Sequence, residues 1–177
     1  DAYLGSIALI GGFTFLASNL IGLKQDNTKR LLGYSSIGQM GLLTLAIALL
    51  IDVDAGTHLP LIIGGLFVNH LFAKAGLFWL AGIVNRKSIN EWSAIAKQPW
   101  LVLLLGIFIC ALIGLPPFPG FWAKWELVMI LADNQMSGWI ALILVGSLLE
   151  AAYLFRWFSF ARQSEDQSKG LSEGLSE

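Results

Sequence analysis

Four ionisable side chains lie where a membrane-spanning sequence is least expected to carry charge. Lys74 and Lys124 fall inside long apolar stretches, His70 precedes Lys74 by four residues, and Glu150 sits within LVGSLLEAAYLF. A cation at the centre of a bilayer costs about 3 kcal/mol on insertion scales. Histidine titrates near neutral pH, and residues four apart share a helix face, so His70 and Lys74 are candidates to pass a proton through bound water. This placement indicates that charge moves through the protein.

Each of these residues also has a purely structural interpretation. His70 could serve only as a structural hydrogen-bonding group. Lys74 could extend its side chain so that the ammonium group reaches the membrane interface. Lys124 is open to interpretation as an interfacial lysine after a proline kink, and Glu150 as the structural partner of a cation on another helix. Glu126 follows Lys124 by two residues, which predicts that it points to a different face and contacts a neighbouring helix.

A proline-rich segment precedes Lys124. Residues 114–121 read GLPPFPGF, inside an apolar stretch, 98–133, that is too long for a single span at about 1.5 Å per residue. Proline removes helix hydrogen bonds, so we expect a span broken into 98–115 and 120–133. A helix broken at membrane depth is tolerated where its free backbone groups line a buried or watered cavity, and transporters place ion sites at such breaks.

Composition predicts an all-α membrane protein. Hydrophobic residues make up 56% of the chain and charged residues 13%, against about 25% charged in a typical soluble domain. Five spans of roughly 20 residues are expected, at approximately 3–23, 31–51, 59–84, 98–133 (broken) and 137–160. They form one transmembrane domain, 1–160, and the polar segment 161–177 is predicted to be a disordered tail.

Composition also excludes several kinds of site. The net charge of −1 offers no basic patch for nucleic acid. The single cysteine, Cys110, has no intrachain disulfide partner and is predicted to be a small core residue. No second metal-ligating side chain lies at suitable spacing from His70, so no metal site is expected.

Basic residues predict the orientation. Of the eleven lysines and arginines, Lys74 and Lys124 are inside spans, and the other nine all fall on one side. The nine are Lys24, Lys29, Arg30, Arg86, Lys87, Lys97, Arg156, Arg162 and Lys169. The positive-inside rule then places the N-terminus outside and the tail in the cytoplasm. Because the chain starts at Asp1, we expect either a removed leader or a part of a longer protein.

Three motifs, in this order, resemble one family. They are QDNTKRLLGYSSIGQMG at 25–41, HLFAKAGLF at 70–78 and GLPPFPGFWAK at 114–124. Their order and spacing are similar to those of the antiporter-like, proton-translocating membrane subunits of respiratory complex I. The same family includes Mrp cation/proton antiporter subunits and membrane subunits of energy-converting hydrogenases.

The resemblance implies a specific fold and set of roles. Family members fuse two five-helix repeats of inverted topology, and this chain resembles the second repeat alone. By resemblance, Lys124 is the terminal proton site on the broken helix, with Lys74 and His70 as the relay that feeds it; Glu150 is added as a further relay candidate. A partner chain or further segment is then expected to supply the first repeat, alongside other membrane subunits and the lipid bilayer.

The resemblance also implies an activity and a location. We expect proton translocation, with Na⁺ as a further candidate ion, in a redox-driven complex such as NADH:quinone oxidoreductase, in a bacterial inner membrane. No cofactor is expected in this chain, which would be a non-redox membrane subunit. An Mrp-type cation/proton antiporter component is the alternative, and a structural or assembly subunit with a vestigial channel is the second alternative.

Overall fold

The computed structural model describes residues 2–163, and this part of the chain is helical. Two short 3₁₀ segments, Gly56–His58 and Ile89–Ile95, lie in the connections between the α-helices. The α-helices are α1 (Ala2–Gly22), α2 (Thr28–Asp52), α3 (Leu59–Val84), α4 (Pro99–Ile113), α5 (Pro119–Asp133) and α6 (Ser137–Arg162). The all-α class predicted from composition is therefore confirmed.

Local sequence signals set several helix ends. Asn27 caps α2, because its side-chain oxygen accepts a hydrogen bond from the backbone N–H of Arg30 at 3.1 Å. Pro99 and Pro119 open α4 and α5, at the position where a missing N–H costs no helix hydrogen bond. Asn85 closes α3 in the left-handed conformation, a conformation that asparagine tolerates better than most residues.

Among residues 2–163, four helices are long and apolar enough to cross a membrane. They are α1, α2, α6 and the segment Gly56–Val84, which contains α3. At about 1.5 Å per residue, a 21-residue helix such as α1 is about 30 Å long, which matches the hydrocarbon thickness. In contrast, α4 and α5 have 15 residues each and reach only about 22 Å apiece.

Buried apolar side chains form two clusters at opposite ends of the bundle. The first, which we call the basic-end cluster, contains Trp92 and Trp157 near the basic loops. The second, which we call the acidic-end cluster, contains Leu50 of α2. It is flanked by Ala55, in the connection between α2 and α3 that follows Asp52 and Asp54. Burial of these side chains away from water and lipid packs the long helices side by side.

The two short helices follow one another between these clusters. Helix α4 buries Leu105 and Ile109 in the basic-end cluster, whereas α5 buries Leu127 and Leu131 in the acidic-end cluster. The predicted break in the helix is therefore present in the structure. The break covers the residues between Ile113 and Pro119, so α4 ends two residues earlier than the sequence predicts and α5 begins one residue earlier.

Asn69 of α3 contacts both sides of the break. Its Nδ2 donates to the backbone oxygen of Ala111 at 2.7 Å, near the end of α4. The same amide packs against Gly120 in α5, where an added Cβ would lie 2.5 Å from Asn69 Nδ2. Gly114 ends α4 with φ at +82°, a conformation that glycine adopts at little cost. One side chain thus joins the two half-helices.

The two basic connections meet at one end of the molecule. The N–H of Thr28 donates to the oxygen of Lys87 at 2.9 Å, and the N–H of Ile89 donates to the oxygen of Asp26 at 2.8 Å. Arg156 of α6 binds the first of these connections, because its Nη2 donates to the oxygen of Gln25 at 2.6 Å. The charge pattern along the sequence therefore corresponds to a real asymmetry between the two ends of the fold.

The end of α6 corrects one boundary. The predicted tail begins at residue 161, yet α6 continues to Arg162. Ala161 is fully buried in the basic-end cluster, and the Arg162 guanidinium lies 5.9 Å from the centre of the Phe158 ring, so packing extends the helix. The rest of the predicted tail, 164–177, lies outside the described residues.

The asymmetry between the two ends of the fold predicts which loops lie on opposite sides of the membrane. In a background with Cys110→Ala, we expect Thr57→Cys and Asn90→Cys to be labelled by a membrane-impermeant maleimide from opposite faces of sealed vesicles. Both substituted positions are exposed, and neither change alters the charge balance. Labelling of both cysteines from the same face would contradict the topology.

A second prediction concerns the contact between Asn69 and the break. Asn69→Leu keeps a similar volume but removes the hydrogen bond to Ala111, which contributes about 1 kcal/mol. We expect faster amide hydrogen exchange over residues 114–121, measured by mass spectrometry. Asn134→Leu is the control, because Asn134 makes a similar bond to the oxygen of Ile130 at an exposed position. Equal exchange in the two variants would show that Asn69 does not hold the break.

Candidate functional site

Polar side chains are collected in a layer between the two apolar clusters. On α2, Ser35 and Gln39 lie between Leu32 of the basic-end cluster and Leu42 of the acidic-end cluster. The same transition occurs on α3 and on α6. The polar layer consists of Ser35, Gln39, Asn69, His70, Lys74, Lys124, Ser147 and Glu150. It therefore lies about midway between the two ends of the bundle.

Lys124 lies in the polar layer directly beside the helix break. Its Nζ donates to the Ser147 hydroxyl at 3.0 Å and to the backbone oxygen of Ile113 at 3.3 Å. Ile113 is the last residue of α4, where carbonyl groups lack helical donors and carry partial negative charge. The break thus supplies an acceptor that an unbroken helix would have used internally.

Glu150 is the acidic member of the layer. Its side chain is 3% exposed, and its Oε1 accepts a hydrogen bond from the Ser35 hydroxyl at 2.7 Å. The carboxyl group interacts electrostatically with both Lys124 and Lys74. A buried charge is costly unless opposite charges and hydrogen bonds compensate it, and Glu150 has both kinds of compensation.

Lys74 and His70 share one face of α3, as their spacing predicts. Both are buried, with 6% and 8% of their surfaces exposed. The Lys74 ammonium donates to the backbone oxygen of Leu32 in α2. Lys74 therefore does not extend to the membrane interface, which was the structural alternative for this residue.

A small cavity connects His70 to Lys124. Its volume is about 10 Å³, and its polar lining comes from Gln39, Asn69, His70 and Lys124. A cavity of this size has room for about one water molecule, and these side chains provide the polar partners that a buried water needs. His70 and Lys124, on different helices, are thus brought to the same space.

The structure places all four sequence-predicted site residues in the polar layer. It brings Lys74, Lys124 and Glu150 within electrostatic reach of one another, and it places His70 on the cavity beside Lys124. Glu126, as expected, points elsewhere. Its Oε1 lies 3.1 Å from Nδ1 of His58, in the connection before α3.

Besides Asn69, sequence reasoning missed three side chains in and beside the layer, Ser147, Tyr153 and Asn19. Ser147 receives the Lys124 hydrogen bond, and its position three residues before Glu150 on α6 was the available signal. Tyr153 follows Glu150 by three residues, and its hydroxyl donates to Asn19 Oδ1 of α1 at 2.9 Å. An isolated asparagine or tyrosine in an apolar helix is typical of ordinary packing, so the sequence does not indicate its hydrogen-bond partner on another helix.

Metal ligands are not gathered in the described part of the chain. Among residues 2–163, no three histidine, cysteine or acidic side chains come close enough to share a metal ion. The chemistry that the layer offers is the binding and exchange of protons among two amines, one carboxyl group and an imidazole.

Proteins of known identity share this sequence pattern. A sequence model of the family described as "NADH:quinone oxidoreductase/Mrp antiporter, TM" matches residues 2–150. NADH-quinone oxidoreductase subunit N of Campylobacter lari is 32% identical over 158 residues, which cover 85% of this chain and 33% of that protein. The protein of the same name from Desulforudis audaxviator is 34% identical over 161 residues, covering 86% of this chain and 30% of that protein.

A solved structure shares the fold. A chain of respiratory complex I from Thermus thermophilus, solved with bound aureothin, aligns with a TM-score of 0.72 and 27% identity. The alignment covers 89% of this chain and 36% of that chain. This chain spans about a third of the length of these relatives.

The family match extends well beyond the three motifs on which the resemblance rests. It includes α1 through α5 and about the first half of α6, up to Glu150 itself. Sequence motifs, fold and family match therefore agree, and the chain belongs to the NADH:quinone oxidoreductase/Mrp antiporter transmembrane family.

Proposed function

We propose that this chain forms a proton-translocating unit of an antiporter-like subunit in a redox-driven complex of the NADH:quinone oxidoreductase type. The observation that carries the proposal is the position of Glu150, a buried carboxyl group that interacts with the buried Lys74 and the partly buried Lys124 on two other helices. Ionisable groups at membrane depth mark ion pathways by default, and here they lie within one layer.

The geometry supports an order for the relay. His70 and Lys124 face the small cavity, so a single water there would connect the imidazole to the ammonium group. Lys124 is bonded to Ser147, which is one helical turn from Glu150 on α6. Lys74 also interacts electrostatically with Glu150, and its ammonium group donates to the Leu32 oxygen. The proposed path therefore runs through His70, Lys124, Glu150 and Lys74.

Charge balance gives the relay its coupling. Two protonated amines and one ionised carboxyl group leave a net charge of +1 in a poorly solvated layer. Loss of one proton from either lysine makes the three groups neutral, so the proton affinity of each group depends on the state of the others. A charge brought near by a neighbouring helix or subunit would shift this balance and move a proton.

The break in the fourth span serves this exchange. The Ile113 oxygen accepts a hydrogen bond from Lys124 without losing a helical partner of its own, because it lies at the end of α4. Discontinuous helices in transporters supply ion contacts in the same manner.

The proposal includes partners and location. Other membrane subunits, among them a chain or segment that supplies a first five-helix repeat, are proposed to cover the exposed helix faces, together with lipid. Quinone or NADH chemistry is assigned to other subunits, and no cofactor to this chain. We place the protein in a bacterial cytoplasmic membrane, with its N-terminus outside and its tail in the cytoplasm, and leave Na⁺ as a second candidate ion.

A role as an Mrp-type cation/proton antiporter component is the alternative. The family description covers both kinds of protein. The matched relatives named above are subunits of NADH-quinone oxidoreductase, and the matched structure is a respiratory complex I, which favours the redox-driven assignment. Sodium transport by vesicles that hold the native complex would favour the Mrp assignment.

Neutralising a lysine is the direct test of the relay. Lys124→Met keeps the apolar stem and removes the proton site, so we expect proton pumping by the intact complex to fall roughly tenfold or more. Lys124→Arg should also impair pumping, because arginine does not release its proton. Lys74→Met should resemble Lys124→Met, measured as ΔpH formation in vesicles with normal subunit content.

Lys29→Met is the matched control for these variants. Lys29 is exposed at the basic end and lies outside the polar layer, so its neutralisation should leave pumping unchanged. Normal pumping by Lys124→Met would refute the relay and leave the structural interpretation, a vestigial channel, in its place.

Dependence on a partner gives a further prediction. Lys124 is only partly buried in the chain alone, and polar groups at membrane depth need protein cover. We expect liposomes that contain only this chain to show no proton flux above protein-free liposomes, measured with an entrapped pH-sensitive dye. The complete native complex, reconstituted in parallel, is the positive control. Flux with the chain alone would show that no partner is required.

A further inference from the structure

An open groove runs along the outside of the bundle between α4 and α6. Its volume is about 370 Å³, and it lies at the basic end, where α4 begins and α6 ends. The proposed relay uses none of the side chains that line this groove. Its main lining residues are Pro99, Val102, Leu103 and Gly106 of α4, and Phe158 and Arg162 of α6.

The spacing of these residues gives the groove its direction. On α4 the lining positions recur every three or four residues, so they share one face of the helix. The seven residues from Pro99 to Gly106 extend about 10 Å along the helix axis. Phe158 packs against Gly106, because an added Cβ at Gly106 would lie 3.1 Å from Phe158 Cε2. The groove therefore runs parallel to the helices, from the start of α4 toward the middle of the bundle.

Arg162 lies at the open end of the groove. Its guanidinium is 5.9 Å from the centre of the Phe158 ring, and it makes no hydrogen bond or ion pair with another residue of the range 2–163. A guanidinium over an aromatic ring keeps its N–H groups available to an acceptor in its own plane. Lys97, which is exposed, directly follows Ala96, another residue of the groove lining. The open end thus offers cationic donors to an external anion.

The surrounding charge also favours an anion. The segments 24–30, 85–97 and 156–162, which form the basic end, hold eight lysines and arginines and two acidic residues, Asp26 and Glu91. Trp100, in the first turn of α4, is 76% exposed. Exposed tryptophan is typical of the level of the lipid headgroups. The cationic end of the groove therefore lies at headgroup level, and its apolar length extends into the hydrocarbon.

We propose that the groove between α4 and α6 binds one anionic phospholipid. Its phosphate contacts Arg162, and one acyl chain lies along Val102, Leu103 and Gly106. Basic pockets between transmembrane helices bind anionic headgroups, and the guanidinium fork matches the geometry of phosphate oxygens. This site does not depend on proton translocation, because it requires only the fold and a membrane around it.

The dimensions of the groove favour a lipid over the other occupants. A free phosphate ion would bind the guanidinium and leave the apolar length of the groove unfilled. A transmembrane helix is about 10 Å across, so a 10 Å length of it occupies roughly 800 Å³. That volume is about twice that of the groove. A single acyl chain is narrower than a helix and needs no hydrogen-bond partners along its length.

Photocrosslinking in the native complex tests the proposal. The probe is phosphatidylglycerol with a diazirine in the middle of one acyl chain, and phosphatidylcholine with the same chain is the zwitterionic comparison. Peptide mass spectrometry then measures lipid adducts on residues 99–106 and 155–162. We expect several-fold more adduct from phosphatidylglycerol than from phosphatidylcholine. Inorganic phosphate in large excess over the probe should not displace the lipid, because the acyl chain contributes to binding.

Removal of the cation tests the headgroup contact. Arg162→Gln should lower the phosphatidylglycerol adduct about fivefold, the factor that corresponds to 1 kcal/mol per basic residue near an anionic lipid surface. The phosphatidylcholine adduct should not change. Lys29→Gln is the matched control, because it removes the same charge at an exposed position of the basic end outside the groove. Its adducts should equal those of the parent.

A second variant fills the groove without changing charge. Leu103 is 51% exposed, so Leu103→Trp places a larger side chain in the groove and not in the core. It should lower the adducts of both lipids. Leu144→Trp is its control, because Leu144 is 55% exposed on α6 and lies outside the groove.

Several results would overturn the lipid site. Equal adducts from the two lipids, or an unchanged phosphatidylglycerol adduct in Arg162→Gln, would show that no anionic headgroup is recognised. Complete displacement by inorganic phosphate would show a site for a free anion only. Adducts from neither lipid in the assembled complex would show that a partner subunit covers the groove. None of these measurements involves proton pumping, so normal pumping by Lys124→Met would refute the relay and leave the lipid site standing.

Discussion

The attraction between one buried carboxyl group and the two ammonium groups of the polar layer is the constraint on which the rest of the structure depends. Each charge alone would be expelled from the hydrocarbon or neutralised. Together, Glu150, Lys74 and Lys124 compensate one another, but only if α3, α5 and α6 are held at fixed depth and rotation. The two apolar clusters, one above and one below the layer, provide that fixation.

The broken span follows from the same constraint. An intact helix would use the carbonyl of Ile113 internally, and Lys124 would then lose one of its two acceptors. Asn69 holds the two half-helices in register by bonding one and packing on the other. The backbone hydrogen bonds that the break interrupts are therefore compensated by contacts from the side chains around it.

The sequence predicted the helices and the ionisable residues because both signals are local. An apolar run of sufficient length must span, and three prolines within four residues, Pro116, Pro117 and Pro119, must interrupt a helix. The pairings were not predictable, because they depend on how far each helix is rotated about its axis. Ser35 belongs to the motif at 25–41, yet nothing in its neighbourhood along the chain indicated Glu150, 115 residues away.

The small cavity between His70 and Lys124 has a consequence for electrical insulation. A continuous file of water through the bundle would let protons run down the membrane potential, which is worth about 2.3 kcal/mol per proton at 100 mV. A space of about 10 Å³ admits one molecule and leaves dry apolar clusters on both sides. The apolar clusters therefore block a continuous water path for protons, and under the proposed function only the side chains of the polar layer pass protons, one at a time.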